Sequence, residues 1–395
     1  MTVRQPSGEA PGAGAPWHNC DVAKLDFIYF DAGGGHRAAA NALRQVIEAQ
    51  GRPFQIRMVN LQEVLDEIDV FRKVTGLRLQ DLYNFMLKRG WTLGSPQLTA
   101  GMHLVIRMFH RKQVRTLERF WAQDRPDMIV SLVPNLNRAL FEAAPGVPMV
   151  TILTDIADYP PNFWIERQEQ YLICGSSRAE EQAREHGYPQ DRVERVSGMI
   201  LNPGFYGIEP VSPEDRARAQ AALGLDPARP IGLVLFGGEG SAAMEEIARR
   251  LDTRQLILIC GRNEKLAGRL RGLRRSAPAF VEGFTRDVPR YMQLADYFIG
   301  KPGPGSLSEA IAMRLPVIVE RNAWTLPQER YNAEWIREHG VGLVLPNFRA
   351  IARAVDELLE PAAYQRFRAA TGRLSNRAVY EIPDILERIL ARHRD

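Results

Sequence analysis

The sequence is poor in cysteine and has no long apolar run. Its 395 residues contain three cysteines, Cys20, Cys174 and Cys260, at spacings that form no metal-ligand pattern. The last two end apolar runs, so we expect buried thiols in a reducing compartment and no disulfides. No segment has the roughly 18–20 consecutive apolar residues of a membrane-spanning helix. The Gly-, Ala- and Pro-rich start of the chain lacks an apolar core, which predicts a flexible tail and not a signal peptide.

Several catalytic signatures are absent as well. The chain has no Gly-x-Ser-x-Gly nucleophile elbow and no His-Glu-x-x-His metal site. Two glycine clusters, 33–35 and 303–305, continue neither into the Gly-Lys-Ser/Thr of a P-loop nor into the dinucleotide fingerprint of a dehydrogenase. Asp155 and Asp158 are close but form no Asp-x-Asp pair for a metal-bound diphosphate. We therefore expect no metal and no cofactor, with diphosphate charge met by loop amides and a helix dipole.

Apolar strand patterns alternate with amphipathic helical patterns through both halves of the chain. With 45% apolar and 25% charged residues, 395 residues are enough for two α/β cores. The alternation predicts parallel sheets with helices on both faces, and a Gly- and Pro-rich stretch over 198–213 indicates a linker. The predicted organisation begins with a tail over 1–24. Two Rossmann-like doubly wound domains follow, over 25–205 and 206–375, and face each other across a cleft. A terminal helix over 376–395 ends the chain, and packing back on the first domain is one option for it.

The net charge is only +4, but basic residues are concentrated between Phe71 and Arg115. This stretch has nine basic residues and one acidic residue, Asp81, interleaved with aromatic and aliphatic side chains. Such a pattern is typical of contact with an anionic membrane, where each cation contributes about 1 kcal/mol. The alternative is a helix hairpin with a buried apolar face and a solvated basic face. We expect no nucleic-acid partner, because no recognised binding motif accompanies the charge.

The first glycine cluster follows an apolar strand pattern and directly precedes His36. Doubly wound folds bind ligands at the carboxyl ends of their strands, where glycine allows close approach of the backbone. We interpret Gly34 and Gly35 as acceptor-side residues and His36 as a catalytic base that the helix N-terminus keeps neutral. A capping or core histidine is the alternative. Asp31 ends the same strand, and orienting His36, touching the acceptor or starting the helix are its possible roles.

Strands of the second half also end in glycine turns or polar residues, which is typical of a nucleotide site. The sequence FGGEG after one strand is a candidate phosphate cradle, and the turn that holds Phe284 could read a flat base. The second glycine cluster opens a helix in which Glu309 can accept two ribose hydroxyls. A capping box with Ser306 is the alternative for Glu309, and both roles can hold together.

Three polar residues, Gln328, Glu329 and Asn332, form a polar trio at the start of a predicted helix. The trio is suited to binding the hydroxyls of a sugar, and a solvated first helical turn is the alternative. The full set of donor-site candidates is Gly237, Gly238, Glu239, Arg262, Gly283, Phe284, Gly303, Gly305, Ser306, Glu309, Gln328, Glu329 and Asn332.

These motifs carry a family resemblance. GGGHRAAANAL resembles the N-terminal glycine loop of monogalactosyldiacylglycerol synthases and of bacterial diacylglycerol glucosyltransferases. LVLFGGEGSAAMEEIA, VEGFTRDVPRYMQLADYFIGKPGPGSLSEAIAMRLPVIV and QERYNAEWI resemble the donor domain of the same family, in the same order. The resemblance extends from about Asp26 to Val344. More distantly, the chain is similar to the transferase that adds N-acetylglucosamine to the peptidoglycan lipid precursor.

The resemblance implies a GT-B fold, UDP-sugar donors, metal-free inversion at the anomeric carbon and monotopic membrane attachment. By position it implies His36 as base, Glu309 on the ribose, Gly283 and Phe284 near uracil, the Gly303–Ser306 loop at the diphosphate, and Gln328 with Glu329 on the hexose. It also implies that LYNFMLKRGWTLGS faces lipid and acceptor. The acceptor and membrane candidates are thus Gly34, Gly35, Tyr83, Lys88, Arg89, Trp91 and Asp155.

Together, the residues and the resemblance predict an inverting, metal-independent hexosyltransferase. We expect it to move galactose or glucose from a UDP-sugar to a lipid hydroxyl, foremost that of diacylglycerol, at the inner face of the cell membrane. Transfer to a peptidoglycan lipid precursor or to a hydrophobic small molecule is an alternative. A UDP-sugar epimerase, which needs no lipid acceptor, and a non-transferring UDP-sugar sensor are the rivals from other classes.

Overall fold

The chain folds into two six-stranded parallel sheets covered by helices, which confirms the predicted doubly wound α/β class. The computed structural model describes residues 22–31, 35–66, 95–209, 211–323 and 325–394, without the side chains of 95–105. Short runs of β-branched and aliphatic residues form the central strands, because parallel strands covered on both faces are buried throughout. Every residue of the strands Met128–Ser131 and Tyr297–Gly300, for example, is buried.

The first sheet has the strand order β2-β1-β3-β4-β5-β6. Its connections run to opposite sides from β1, so the switch point of the sheet lies between β1 and β3. The strands are β1 (Ala23–Tyr29), β2 (Phe54–Asn60), β3 (Met128–Ser131), β4 (Met149–Ile152), β5 (Tyr171–Cys174) and β6 (Val193–Arg195). The accompanying helices are α1 (Gly35–Ala49), α2 (Leu61–Leu65), α3 (Ser95–Gln123), α4 (Asn137–Ala143) and α5 (Ser177–Glu185).

The second sheet has the order β12-β11-β10-β7-β8-β9, with its switch point between β7 and β10. Its strands are β7 (Ile231–Leu235), β8 (Gln255–Ile259), β9 (Ala279–Glu282), β10 (Tyr297–Gly300), β11 (Val317–Glu320) and β12 (Gly342–Leu345). Its helices are α6 (Pro213–Ala222), α7 (Ala243–Arg250), α8 (Glu264–Arg271), α9 (Val288–Leu294), α10 (Pro304–Ala312), α11 (Arg330–His339), α12 (Ile351–Leu359) and α13 (Pro361–Gly372).

The last helix, α14 (Ala378–Ala391), packs on the first sheet although it follows the second in sequence. Its apolar face, which includes Ile382 and Leu386, shares a core with Leu43 and Ile47 of α1. At the start of this crossing, the Asn376 side chain donates a 2.8 Å hydrogen bond to the carbonyl of Met199. The two halves are therefore held together by a helix as well as by the connecting chain.

Helix α3 is anchored to the first sheet by a buried charged group. Asp26 on β1 is fully buried and accepts hydrogen bonds from Arg57 on β2, at 2.7 Å, and from the indole of Trp121 on α3, at 2.8 Å. A buried carboxylate needs such partners to remain charged. Among the helices of the described ranges, none combines the length and the apolar character that crossing a bilayer requires.

Candidate active site

Those predicted site residues that the structure describes gather at the carboxyl edges of the two sheets, and these edges face each other. Tyr159, in the loop after β4, stacks on Tyr331 of α11 with ring centroids 6.1 Å apart. Ile156, from the same loop, belongs to the apolar core of the second half. Ligands of doubly wound folds bind at such edges, next to the switch points. The chain thus offers one cleft lined by both sheets.

His36 lies at the switch point of the first sheet, one residue after the start of α1. Thr154 Oγ1, just beyond the end of β4, lies 3.1 Å from Nδ1 of the imidazole. The ring of Phe30 meets the imidazole edge-on at 6.3 Å, and the ring of Trp164 lies tilted against it at 5.8 Å. Phe30 directly follows β1, whereas Thr154 and Trp164 both belong to the segment between β4 and β5, and together they confine the imidazole.

Burial makes His36 an uncharged imidazole at neutral pH. Desolvation lowers its pKa from 6.5 to about 4, and a hydrogen bond with the backbone of Leu132 offsets part of this decrease. The helix N-terminus acts in the same direction as the burial. The sequence-based expectation of a neutral histidine agrees with this environment, although the main cause is desolvation.

Asp31 forms an ion pair with Arg37 and not with the imidazole. Its carboxylate lies 3.0 Å from Nε and 3.1 Å from Nη1 of Arg37 in a two-pronged arrangement. The side chain of Thr154, and not that of Asp31, contacts Nδ1, so orienting His36 is not a role in which the structure shows Asp31. Sequence reasoning missed Thr154, although the Thr-Asp pair that ends the fourth strand pattern was a signal.

Asp155 follows Thr154 and connects the two edges of the cleft. It is buried, and the indole of Trp164 donates a 2.9 Å hydrogen bond to its Oδ2. Desolvation raises the pKa of Asp155 to about 7; the negative charge of Glu329 raises it further and the positive charge of Lys301 lowers it. Because both charges come from the second half, Asp155 faces the donor side as well as the predicted acceptor side.

The glycine turns of the second half pack against each other. Gly237 has φ +75°, a conformation that favours glycine. Gly261, at φ +59°, lies so close to Gly238 that a Cβ would fall 2.2 Å from its carbonyl oxygen. The N–H of Arg262 donates a 2.8 Å hydrogen bond to that same carbonyl. These turns leave backbone groups near the switch point, as a phosphate or nucleotide site requires.

Arg262 and Phe284 form an exposed pair at the ends of β8 and β9. The guanidinium lies 5.0 Å above the centroid of the Phe284 ring, and 3.7 Å from the carboxylate of Glu239. Phe284 is 53% exposed, which is high for a phenylalanine, while the preceding Gly283 is buried. A solvent-facing aromatic ring next to a buried glycine offers both a stacking surface and a close backbone approach.

The second glycine cluster caps helix α10. Gly303 is the N-cap and Pro304 the first helical residue, so Gly305 and Ser306 lie inside the first turn. The capping box with Ser306 as N-cap is therefore wrong, because Ser306 already has helical geometry. Glu309 lies in the second turn, where desolvation alone raises its pKa to about 7. Within the described ranges, this partly buried carboxyl has no hydrogen-bond or ion-pair partner, so its oxygens can accept hydrogen bonds from a ligand.

The polar trio at the edge of the second sheet divides into two roles. Glu329 is buried and accepts a 2.6 Å hydrogen bond from the ammonium group of Lys301, a residue that sequence reasoning missed. Asn332 is fully buried, and its Nδ2 donates a 2.7 Å hydrogen bond to the carbonyl of Pro302. Asn332 thus holds the residue that directly precedes the glycine cluster. Gln328 precedes Glu329 in a 3₁₀ turn and is partly exposed.

Most membrane and acceptor candidates lie outside the described residues, namely Gly34, Tyr83, Lys88, Arg89 and Trp91. Gly35 is described as the exposed first residue of α1. Part of the basic segment is described on α3, where an exposed face contains Met108, 70% exposed, beside the cations Arg107, Arg111, Lys112 and Arg115.

Comparisons with known proteins bear on what this cleft does. No protein-family model matches the chain. The chain is 28% identical over 362 residues to monogalactosyldiacylglycerol synthase of Spinacia oleracea, which covers 84% of this chain and 65% of that protein. It is 30% identical over 353 residues to probable monogalactosyldiacylglycerol synthase 2 of Oryza sativa subsp. japonica, which covers 82% and 71%. The chain thus spans about two thirds of the length of these relatives.

Solved structures share the arrangement of both halves. The structure of MurG from Acinetobacter baumannii superposes with a TM-score of 0.60 at 13% identity, covering 92% of this chain and 99% of that one. Os79 from O. sativa, solved in complex with UDP, gives a TM-score of 0.60 at 14% identity, covering 93% and 100%. At these identities the likeness shows the fold, which is GT-B. With the relatives above, it follows that the chain belongs to the monogalactosyldiacylglycerol synthase family of GT-B glycosyltransferases.

Proposed function

We propose that the protein transfers galactose or glucose from a UDP-hexose to the hydroxyl of a lipid, with diacylglycerol as the foremost acceptor. The observation that supports this most is the cleft itself. A neutral histidine stands at the switch point of one sheet, opposite a glycine-capped helix at the switch point of the other. The names of the relatives, monogalactosyldiacylglycerol synthases, suggest the acceptor.

In this proposal the second sheet holds the donor. The backbone N–H groups at the start of α10 and the turns at Gly237 and Gly238 meet the diphosphate, whose charge the helix dipole favours without a metal ion. Glu309 accepts the ribose hydroxyls, and the uracil lies against Phe284 and Gly283. Glu329, oriented by Lys301, accepts hydroxyls of the hexose together with Gln328.

The first sheet holds the acceptor. Its hydroxyl oxygen attacks the anomeric carbon from the face opposite the diphosphate, so a new C–O bond forms as the bond to the UDP oxygen breaks. His36 takes the hydroxyl proton, and UDP leaves with the electron pair of the broken bond. The anomeric configuration is inverted because there is one displacement. Proton transfer to a weakly basic imidazole is favourable late in the attack, when the hydroxyl has become strongly acidic.

The exposed face of α3 suggests where the lipid substrate is met. Arg111, Lys112 and Arg115 lie beside exposed Met108, and cations with apolar side chains are what an anionic bilayer surface attracts. We propose peripheral attachment through this face and the basic and aromatic segment that precedes it in the sequence, at the inner face of the cell membrane.

Incubation with radiolabelled UDP-galactose or UDP-glucose and defined lipids tests the proposed function. With diacylglycerol as the acceptor, we expect label in the organic phase, in a product that yields hexose and diacylglycerol on hydrolysis. If label appears only with a peptidoglycan lipid precursor or another hydrophobic acceptor, the proposed acceptor is wrong but the proposed transfer reaction stands. Interconversion of UDP-hexoses in water with no acceptor would indicate an epimerase, and binding without turnover would indicate a sensor.

A further inference from the structure

A buried tryptophan forms one wall of the space that holds His36. Trp164 is fully buried, and its ring is tilted by 50° against the imidazole at a centroid distance of 5.8 Å. Thr154 Oγ1 contacts Nδ1 of the imidazole, and a hydrogen bond with the backbone of Leu132 holds the same ring. These polar contacts act at the ring nitrogens, whereas Trp164 packs against the ring itself. In a close-packed site the plane of the indole therefore limits the plane of the imidazole.

Two buried carboxyl groups hold Trp164 in place. Asp155 Oδ2 accepts a 2.9 Å hydrogen bond from the indole N–H, and Asp158 Oδ1 accepts a 2.6 Å hydrogen bond from the backbone N–H of Trp164. Because both aspartates are buried, both hydrogen bonds are shielded from water. The bond to Asp158 fixes the backbone from which the side chain starts, and the bond to Asp155 fixes how the indole is turned about its side-chain bonds.

We propose that Asp155 is a positioning residue for the base: by holding the indole of Trp164, it keeps the imidazole of His36 in the orientation for proton transfer. This inference rests on the proposed role of His36 as the base. Asp155 does not contribute to the pKa of His36, which burial lowers and the hydrogen bond with the backbone of Leu132 partly restores. The effect of Asp155 on the base therefore passes through packing and not through charge. A misplacement of about 1 Å can cost roughly a hundred-fold in rate, so a turned indole is enough to slow the transfer.

Substitutions at both ends of the hydrogen bond between Asp155 and Trp164 test this role. Asp155→Asn keeps an oxygen that can accept from the indole, Asp155→Leu removes it at similar volume, and Trp164→Phe removes the N–H but keeps an aromatic ring. We expect Asp155→Leu and Trp164→Phe to lower kcat roughly ten-fold with little change in KM for the UDP-hexose, and Asp155→Asn to keep most of kcat. The losses should not add in the double variant of Asp155→Leu with Trp164→Phe, because each single substitution already breaks the same bond.

The matched control is Trp121→Phe. The indole of Trp121 donates a 2.8 Å hydrogen bond to buried Asp26, so the first half contains a second pair of the same kind. Loss of this N–H should lower the urea midpoint as Trp164→Phe does, because a buried carboxyl loses a hydrogen bond in both variants. It should leave His36 undisturbed, since Trp121 and Trp164 belong to different apolar clusters.

A measurement without turnover tests the packing directly. The carbon-bound ring protons of His36, assigned by NMR with a His36→Gln variant, lie next to the ring of Trp164, and its ring current makes their chemical shifts report where the indole lies. We expect these resonances to move in Asp155→Leu and to stay near their wild-type positions in Asp155→Asn and Trp121→Phe.

Three results would overturn the proposal. They are unmoved His36 resonances in folded Asp155→Leu, a kcat of Asp155→Asn as low as that of Asp155→Leu, and a raised KM for the UDP-hexose with kcat unchanged. If Asp155→Leu does not fold, Trp164→Phe decides, because wild-type kcat in that variant would also overturn the proposal. Full transfer by His36→Gln would instead overturn the base role itself, so the two failures are distinguishable.

Discussion

Glu309 gives the most quantitative prediction, because its carboxyl titrates near neutral pH. Desolvation raises its pKa to about 7 in the ligand-free protein. Two ribose hydroxyls donate to a carboxylate but only poorly to a neutral carboxyl group, so UDP-hexose should bind the ionised form. Binding is then linked to proton release, and the affinity should rise with pH until the group is fully ionised.

The magnitude follows from the ionised fraction. From about pH 5.5 to about pH 8.5 that fraction rises from about 3% to about 97%, so the affinity should increase roughly thirty-fold. At about pH 7, close to half a proton should leave per molecule of UDP-hexose bound. UDP-hexose is preferred to UDP as the ligand, because its diphosphate has no terminal phosphate that titrates in this range.

Isothermal titration calorimetry in buffers of different ionisation enthalpy measures both quantities. Glu309→Gln should bind more weakly at high pH and lose the pH dependence. Asp155→Asn is the matched control, because Asp155 also has a pKa raised to about 7 but should not bind the ribose. The reasoning is refuted if the wild-type affinity changes less than about three-fold over this range, or if Glu309→Gln retains the full dependence.

Two further predictions concern the donor loop and the membrane face. Lys301→Met removes the ion-pair partner of buried Glu329, so we expect a loss of about 1–3 kcal/mol in the free energy of unfolding by urea. The double variant with Glu329→Gln should recover most of this loss. An unchanged urea midpoint in Lys301→Met would contradict the pairing. Reversal of charge at Arg111 and Lys112 should reduce co-sedimentation with vesicles that contain anionic lipid but not with neutral vesicles. Unchanged binding to the anionic vesicles would exclude this face of α3 as the membrane contact.

The sequence was sufficient to predict the strands and most helices, because buried parallel strands are short β-branched runs with polar turns between them. Helices α4 and α6 are short or weakly amphipathic, so their periodic signal in the sequence is weak. The sequence also predicted which strand ends carry polar residues. Which of those residues touch each other depends on strand order and on the orientation of the two halves, so the partners of His36 and Glu329 were not predictable from spacing alone.

The position of Asp155 illustrates the same limit. From the sequence it belonged to the acceptor side, since it follows a strand of the first half. Only the packing of the loop after β4 against the second half brings it under the influence of Lys301 and Glu329. Sequence patterns indicate the edge of a sheet to which a residue belongs, but not what the other sheet presents to it.

A comparison of two proteins tests whether His36 acts as the base in a transfer to lipid. The rate of label transfer from UDP-hexose to diacylglycerol is measured for the wild type and His36→Ala, with UDP affinity determined on the same preparations. We expect a loss of at least about hundred-fold in transfer, with UDP affinity unchanged. Transfer by His36→Ala within a few-fold of the wild type would contradict the base role of His36.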